Sequence, residues 1–416
     1  MGDVVLKDNF DLERIKSKNE FYNKKFLNIN NFNELPLTTK NELLENQSLF
    51  PPYGNFRNKD IQIEQIYRTS GTTAKPLLLS FSKKDIDYIT DIGADCFKYS
   101  GMGNLGNDEV VINCLNLSMW AGGFFDAQAM IKTGVQVINF GTGNTNELIK
   151  LIFDLACSFK VSIHCTPSYL PVIEKRLFSE FEKYPKDLNL FKLYLGAEGG
   201  VQNNIFRNSL MDKWNCKIYN ANYGMSEICS IMASANDENI LKFSEKLFES
   251  YYIELRIDNK FINIIDSNID DVGELVISSL EKESQPLIRY STKEKIRIIN
   301  KKDISIFFEI LGRTDDMIVV KGINFFPEQL RSIISEFKEL SGQYQLQIHK
   351  NNNDEITDVN LICELSNEEH KLDNKTLRDK LIYKIRNELT VSMDVNFTYK
   401  FDLVGNKLKL INFIKG

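Results

Sequence analysis

From about Asn107 onward, apolar residues along the chain follow two alternating rhythms. Glu109-Val-Val-Ile-Asn113 and Gly134-Val-Gln-Val-Ile138 are short β-branched runs with glycine or asparagine nearby, the pattern of brief strands. Between the second run and Val161-Ser-Ile-His164, Leu148, Ile152, Leu155 and Phe159 recur at helical spacing. Asn144 and Thr145 are the cap candidates of that helix, and Glu147 falls in its first turn. Lys192-Leu-Tyr-Leu195 and Lys217-Ile-Tyr219 continue the series of strands. This alternation predicts βαβ units and a largely parallel sheet with flanking helices. Ligand-binding loops of such sheets sit at strand carboxyl ends, and the Gly196 and Tyr223 segments both follow strand patterns.

A boundary falls near Gly312–Asp316. Beyond it the pattern predicts a strand over 317–321 and a helix opened by Pro327, with Leu330, Ile333, Ile334 and Phe337 on one face. Strands near 344–349 and 359–365 follow, then a helix with Leu377, Leu381, Ile385 and Leu389 aligned, then a strand near 395–401. The order β-α-β-β-α-β is that of a ferredoxin-like unit. The expected fold is therefore α/β. Residues 1–314 form a large N-terminal domain with mixed, largely parallel sheets, and residues 315–416 form a small α+β ferredoxin-like C-terminal lobe.

Composition narrows the functions. With 416 residues the chain can bury a large core, and 43% hydrophobic with 26% charged residues is ordinary for a globular protein. A formal charge of −6 offers no basic footprint, so nucleic acid is not an expected partner. Charged runs such as Lys282 to Lys302 read as solvated faces. No stretch of 18 apolar residues and no signal peptide is found, so no membrane partner is expected. Seven cysteines, scattered and without a Cys-x-x-Cys pair, point to reduced thiols and a cytoplasmic location. His164, His349 and His370 are far apart, and His164 in its apolar run reads as a hydrogen-bonded core or pocket residue rather than a metal ligand.

The candidate chemistry starts at Tyr67-Arg-Thr-Ser-Gly-Thr-Thr-Ala-Lys-Pro76. Its small residues let backbone N–H groups approach an anion, Ser70, Thr72 and Thr73 add hydroxyl donors, and Lys75 adds a positive charge. This is a polyphosphate grip of a different spacing from the common P-loop. Further motifs follow in order: Asn222-Tyr-Gly-Met-Ser-Glu227, Gly273-Glu-Leu-Val276, Arg289-Tyr-Ser-Thr-Lys-Glu294, Gly312-Arg-Thr-Asp-Asp-Met317 and Gly405-Asn-Lys-Leu-Lys409.

This succession resembles the adenylate-forming superfamily of acyl-CoA synthetases, peptide-synthetase adenylation domains and luciferases, over about Leu35 to Lys409. Leu35-Pro-Leu-Thr-Thr-Lys40, Cys165-Thr-Pro-Ser-Tyr169, Gly196-Ala-Glu198 and the run from Gly312 to Pro327 are similar to the phenylacetate–CoA ligase group. The resemblance implies an ATP-dependent, AMP-forming acid ligase. It would activate a carboxylic acid as acyl-adenylate and pass it to a thiol, either coenzyme A or the phosphopantetheine of a carrier protein. An amine acceptor, giving an amide, and a nucleotide-binding homologue that has lost catalysis are the alternatives. The latter is motivated by Ala74, Lys293, Glu294 and Asn406, which depart from the family pattern.

The resemblance also assigns roles. Thr69, Ser70, Gly71, Thr72, Thr73 and Lys75 would hold the β- and γ-phosphates, and Glu227 would hold Mg²⁺. Tyr223 would stack on adenine, Ser226 would contact the α-phosphate, and Asn222, Gly224, Met225, Gly196, Ala197 and Glu198 would complete the nucleotide site. Glu294 stands where the family has the ribose-binding aspartate, with Lys293 in place of a glycine, and Arg313 is the second nucleotide contact. Lys407 is the candidate catalytic lysine and Asp315 the pivot of a mobile C-terminal lobe. The acyl pocket would be lined by Trp120, Gly122, Gly123, Phe124, His164 and Tyr169, which suits an aryl or arylacetic acid. Some relatives carry a Cys/His zinc cluster after the Tyr-Gly-x-x-Glu motif; Ala233 to Tyr252 contains neither residue type, so zinc is not expected. The oligomeric state is left open, a homodimer included.

Overall fold

A computed structural model describes residues 11–69, 76–279, 281–314, 318–320, 323–325, 327–350, 356–366, 370–371, 373–389, 391–401 and 411–415. It divides into two compact units. The larger comprises 1–202, 210–292 and 296–309; the smaller comprises 203–209, 293–295 and 310–416.

Five parallel strands lie side by side in the larger unit, in the order Gln136–Asn139, Glu109–Asn113, Lys160–Cys165, Lys192–Gly196 and Lys217–Met225. Glu109–Asn113 and Lys192–Gly196 are buried along their whole length, as parallel strands covered on both faces must be. One crossover helix is the one the spacing predicts. Thr145–Ala156 opens at Asn144, whose side chain accepts from the Glu147 N–H at 3.3 Å. Lys83–Tyr99 opens on a reciprocal pair between Ser82 and Asp85.

The expectation of a largely parallel sheet holds only for those five of twelve strands. After Lys217–Met225 the chain turns at Ser226–Ile228 and returns antiparallel as Cys229–Ala235. Leu241–Phe243 pairs antiparallel with it and with Ser305–Arg313. Tyr290–Lys302, Val272–Ser279, Tyr251–Ile257 and Lys260–Asn263 continue the sheet to its far edge. The physical reason is connection length. A turn of three residues cannot carry a crossover helix, so the next strand must fold straight back.

In the smaller unit Leu340–Lys350 and Ile356–Leu365 pair antiparallel, Asp394–Thr398 joins the second in parallel, and Ile411–Lys415 joins the first in parallel. Pro327–Ile334 and Lys375–Leu389 supply the helices, and Leu330, Ile333, Leu346, Leu361, Leu381 and Ile385 share one core. The ferredoxin-like expectation is corrected on one point. Its first strand, Ile318–Val320, is not in this sheet but pairs with Ile323–Phe325, two residues further on, as a separate two-stranded sheet. So short a connection closes a hairpin locally, and the edge beside Leu340–Lys350 is taken by Ile411–Lys415. Among the described residues no helix is long and apolar enough to cross a membrane.

Candidate active site

The Asn222–Glu227 motif sits where the parallel half of the sheet gives way to the antiparallel half. Asn222 lies opposite Gly196 on the neighbouring strand, and Glu227 lies in the turn that follows. Two glycines permit this packing. A Cβ on Gly196 would come within 2.3 Å of the Asn222 Cβ, and one on Gly224 within 2.2 Å of the Ser230 carbonyl oxygen. Neither position tolerates a side chain.

Glu227 is 7% exposed. Its Oε1 meets the Lys40 ammonium at 2.7 Å and accepts from the Tyr290 hydroxyl at 3.3 Å. Lys40, from the Leu35–Lys40 segment, remains 38% exposed at its side chain, so the pair opens outward. Lys282 binds the same residue from behind. Its ammonium donates to the Glu227 carbonyl at 2.7 Å and lies 4.8 Å over the Phe81 ring. Burial pulls this ammonium down to about 8. Asp85 holds the adjoining segment, accepting from the Glu283 and Ser284 N–H groups at 2.7 and 3.2 Å. Burial raises the Asp85 carboxyl above the usual carboxylate range. Lys282 therefore corrects the reading of its run as a solvated face: it is 3% exposed. Composition hides this, because the residues flanking it are acidic and the run looks uniformly polar.

Tyr223 is 8% exposed and packs edge-on against Phe308 at 5.4 Å, with Phe308 stacked on Phe243 at 4.1 Å. Met225 and Ser226 are half-buried. Ala197 holds φ +60° and Glu198 reaches the Cys165–Tyr169 segment, accepting from the Ser168 N–H and hydroxyl at 3.1 and 2.8 Å. Two segments expected at one site are thus tied together. Tyr169 shares a hydrogen bond with Thr145 at 3.0 Å.

His164, expected on the pocket wall, is fully buried. Its Nδ1 donates to the Tyr194 carbonyl at 2.9 Å, and Nε2 lies 3.0 Å from Asp126 Oδ2. Asp126 also accepts from Asn222 Nδ2 at 2.5 Å and from the Ser230 hydroxyl at 3.1 Å. The buried aspartate on helix Ala121–Ile131 was not singled out as a site residue, although a lone acid in an apolar helix is a readable signal. Phe124 on that helix is 36% exposed, and Tyr67 meets Phe124 and Phe125 at 5.7 and 4.9 Å. A Cβ at Gly122 would meet nothing within 4 Å, whereas one at Gly123 would strike the Asn116 carbonyl at 2.4 Å. Trp120 lies under the Arg68 guanidinium at 4.9 Å.

In the smaller unit, the two expected nucleotide contacts meet each other. Arg313 Nη1 donates to Glu294 Oε1 at 3.0 Å. Lys293, standing where the family has glycine, holds φ +66°, the left-handed region that glycine occupies without strain. Its carbonyl accepts from the Thr314 N–H at 2.7 Å. The substitution is therefore accommodated with the glycine-like backbone kept.

Thr69 is buried, and its hydroxyl accepts from the Leu77 N–H at 3.0 Å. Ser70, Gly71, Thr72, Thr73 and Lys75 lie outside the described residues, as do Asp315 and Lys407. Among the described residues no group of three or more His, Cys, Asp and Glu side chains is assembled to hold a metal. Mg²⁺ needs no such cage, since it keeps waters and takes one carboxylate with substrate phosphates. The single outward-opening carboxylate of Glu227 fits that donor set.

Residues 322–414 match the AMP-binding enzyme C-terminal domain family. A phenylacetate–coenzyme A ligase of Pseudomonas putida is 27% identical over 369 residues, 87% of this chain and 80% of that protein. The phenylacetate–coenzyme A ligase of Escherichia coli K12 is 26% identical over 327 residues, 78% of this chain and 71% of that protein. Among solved structures, 2-hydroxyisobutyryl-CoA ligase in its postadenylation state, with 2-HIB-AMP bound, superposes with a TM-score of 0.81 at 17% identity. That match covers 97% of this chain and 88% of the ligase. The anthranilate CoA ligase AuaEII with anthranoyl-AMP gives 0.59 at 14% identity, covering 83% and 65%. With the ordered motifs, these matches support a likeness to the adenylate-forming superfamily. Within it, the likeness runs to the phenylacetate–coenzyme A ligase group.

Proposed function

We propose that the protein is an ATP-dependent, AMP-forming ligase that activates an aryl or arylacetic acid and transfers the acyl group to the thiol of coenzyme A. A carboxylate is a poor acyl donor because its leaving group would be oxide. Attack of the acid on the α-phosphate of ATP expels pyrophosphate and leaves AMP as a good leaving group for the thiol. The observation that carries this reading is the place of the Asn222–Glu227 motif. It closes the last parallel strand and enters the turn at the switch from parallel to antiparallel pairing, beside Gly196–Glu198 at the end of the next strand. Sheets of this kind bind ligands there.

Glu227 would hold Mg²⁺, which supplies charge neutralisation to the phosphates when bound. Residues 69–75 would cradle the β- and γ-phosphates, and Glu294 with Arg313 would hold the ribose. Lys407 would bridge the attacking carboxylate and the α-phosphate, cancelling the repulsion between two anions. Residues 315–416 would move as a lobe about Asp315, so that the thiol reaches the adenylate after Lys407 withdraws. An aryl acid is favoured over an amino acid because the two acids near the pocket are already engaged. Asp126 accepts from three side chains and Glu198 from Ser168, which leaves neither carboxylate to hold a substrate ammonium. Coenzyme A is favoured over a carrier protein or an amine because the relatives are coenzyme A ligases.

Acid-dependent exchange of labelled pyrophosphate into ATP, screened over aryl, fatty and amino acids, tests this reading. The expected result is Mg²⁺-dependent exchange with aryl acids and AMP as product. Release of ADP and phosphate would overturn it.

A further inference from the structure

Arg68 has no role in the site so far, yet its position is unusual. It is the last residue of the strand Gln65–Arg68 and forms a parallel bridge with Trp120, so the two side chains stand on one face. The guanidinium lies over the Trp120 ring at 4.9 Å. Among the described residues no hydrogen bond or ion pair reaches it, and Nε is buried without a partner. A half-buried cation with unused donors is costly unless something else satisfies it. Two other arginines here are met by carboxylates. Arg289 is bound by Glu254 at 2.8 Å, and Arg256 by Glu274 at 3.2 Å.

The unmet donors tell what is missing: Nε is buried without a partner, and the planar N–H fork of a guanidinium matches a carboxylate with two parallel hydrogen bonds. Tyr67 and Thr69 share the opposite face, with Tyr67 turned into the Phe81 and Phe125 rings. We infer that Arg68 is a specificity-determining residue, and that the acid this enzyme activates carries a second carboxylate, which the Arg68 fork holds against Trp120. The inference rests on the acid-ligase reading above.

The test compares benzoate and phenylacetate with terephthalate and 4-carboxyphenylacetate in pyrophosphate exchange, using the full chain and its Arg68→Leu and Arg68→Lys variants. In the parent protein the diacids should exceed the matching monoacids in kcat/KM by about 10²-fold, the scale of a charged hydrogen-bonding pair. Arg68→Leu should cut that ratio by roughly 30-fold or more, and Arg68→Lys by less, because charge survives without the fork. Calorimetric titration with terephthalate alone supplies a second readout, with binding expected to the parent and lost in Arg68→Leu. Equal or better use of monoacids by the parent overturns the inference and leaves the ligase reading standing. Terephthalate binding of equal strength in parent and Arg68→Leu does the same. Exchange with none of the acids, but Arg68-dependent terephthalate binding, sinks the ligase reading and keeps the carboxylate site.

Discussion

Asp126 and Glu227 are both buried carboxylates at the carboxyl end of the parallel sheet, and they are built to opposite ends. Asp126 is fully enclosed, and three side chains from three other elements, His164, Asn222 and Ser230, converge on it. Glu227 has one neutral donor, Tyr290, and one partly exposed cation, Lys40, that can be exchanged for another. The first arrangement fixes a geometry; the second keeps a charge available. Burial alone does not separate them. What separates them is whether the last partner can leave, and Lys40 can while His164 cannot.

The comparison can be broken by mutation. Asp126→Ala should destabilise the fold by about 3–5 kcal/mol, because three buried donors lose their acceptor at once. Chemical denaturation would read this, and a midpoint within experimental scatter of the parent would show that Asp126 is no anchor. Glu227→Gln keeps the shape and removes the charge. It should lower pyrophosphate exchange by about 10²–10³-fold, the size expected for one charge-stabilising group, while changing the thermal midpoint little. A large loss of stability with modest loss of exchange would reverse the two roles. The smallest effect is at Lys293, held at φ +66°. Lys293→Gly should stabilise the protein by about 0.5–1 kcal/mol, the left-handed strain relieved less the entropy of glycine. No gain in midpoint would mean that the lysine side chain compensates for its backbone.

The two carboxylates also differ in how readable they are. Glu227 stood out because its neighbours form a motif whose order along the chain is informative. Asp126 makes its case only through contacts 38, 96 and 104 residues away, which no local pattern encodes. The same holds at the level of the sheet. The parallel strands were legible because each is separated from the next by a helix with its own period. The antiparallel half was not, because Cys229–Ala235 and its neighbours follow in close succession without that punctuation. In the smaller unit the helices and three of the sheet strands fall near their expected places, and Ile318–Val320, three residues long, is a strand where expected but pairs outside that sheet. Arg68 and Lys282 were both passed over for one reason. A single cation in a polar context looks solvated until the elements around it are assembled.

Lys282 has a consequence outside the reaction. An amine whose ammonium is drawn down to about 8 is partly a free base in mildly alkaline buffer, and a free base is a nucleophile. At 3% exposure, with Phe81 across it and the Glu227 carbonyl at its tip, it meets no reagent while the segment stays closed. Acylation of this one lysine by a small amine-reactive probe therefore times the opening of the wall behind Glu227.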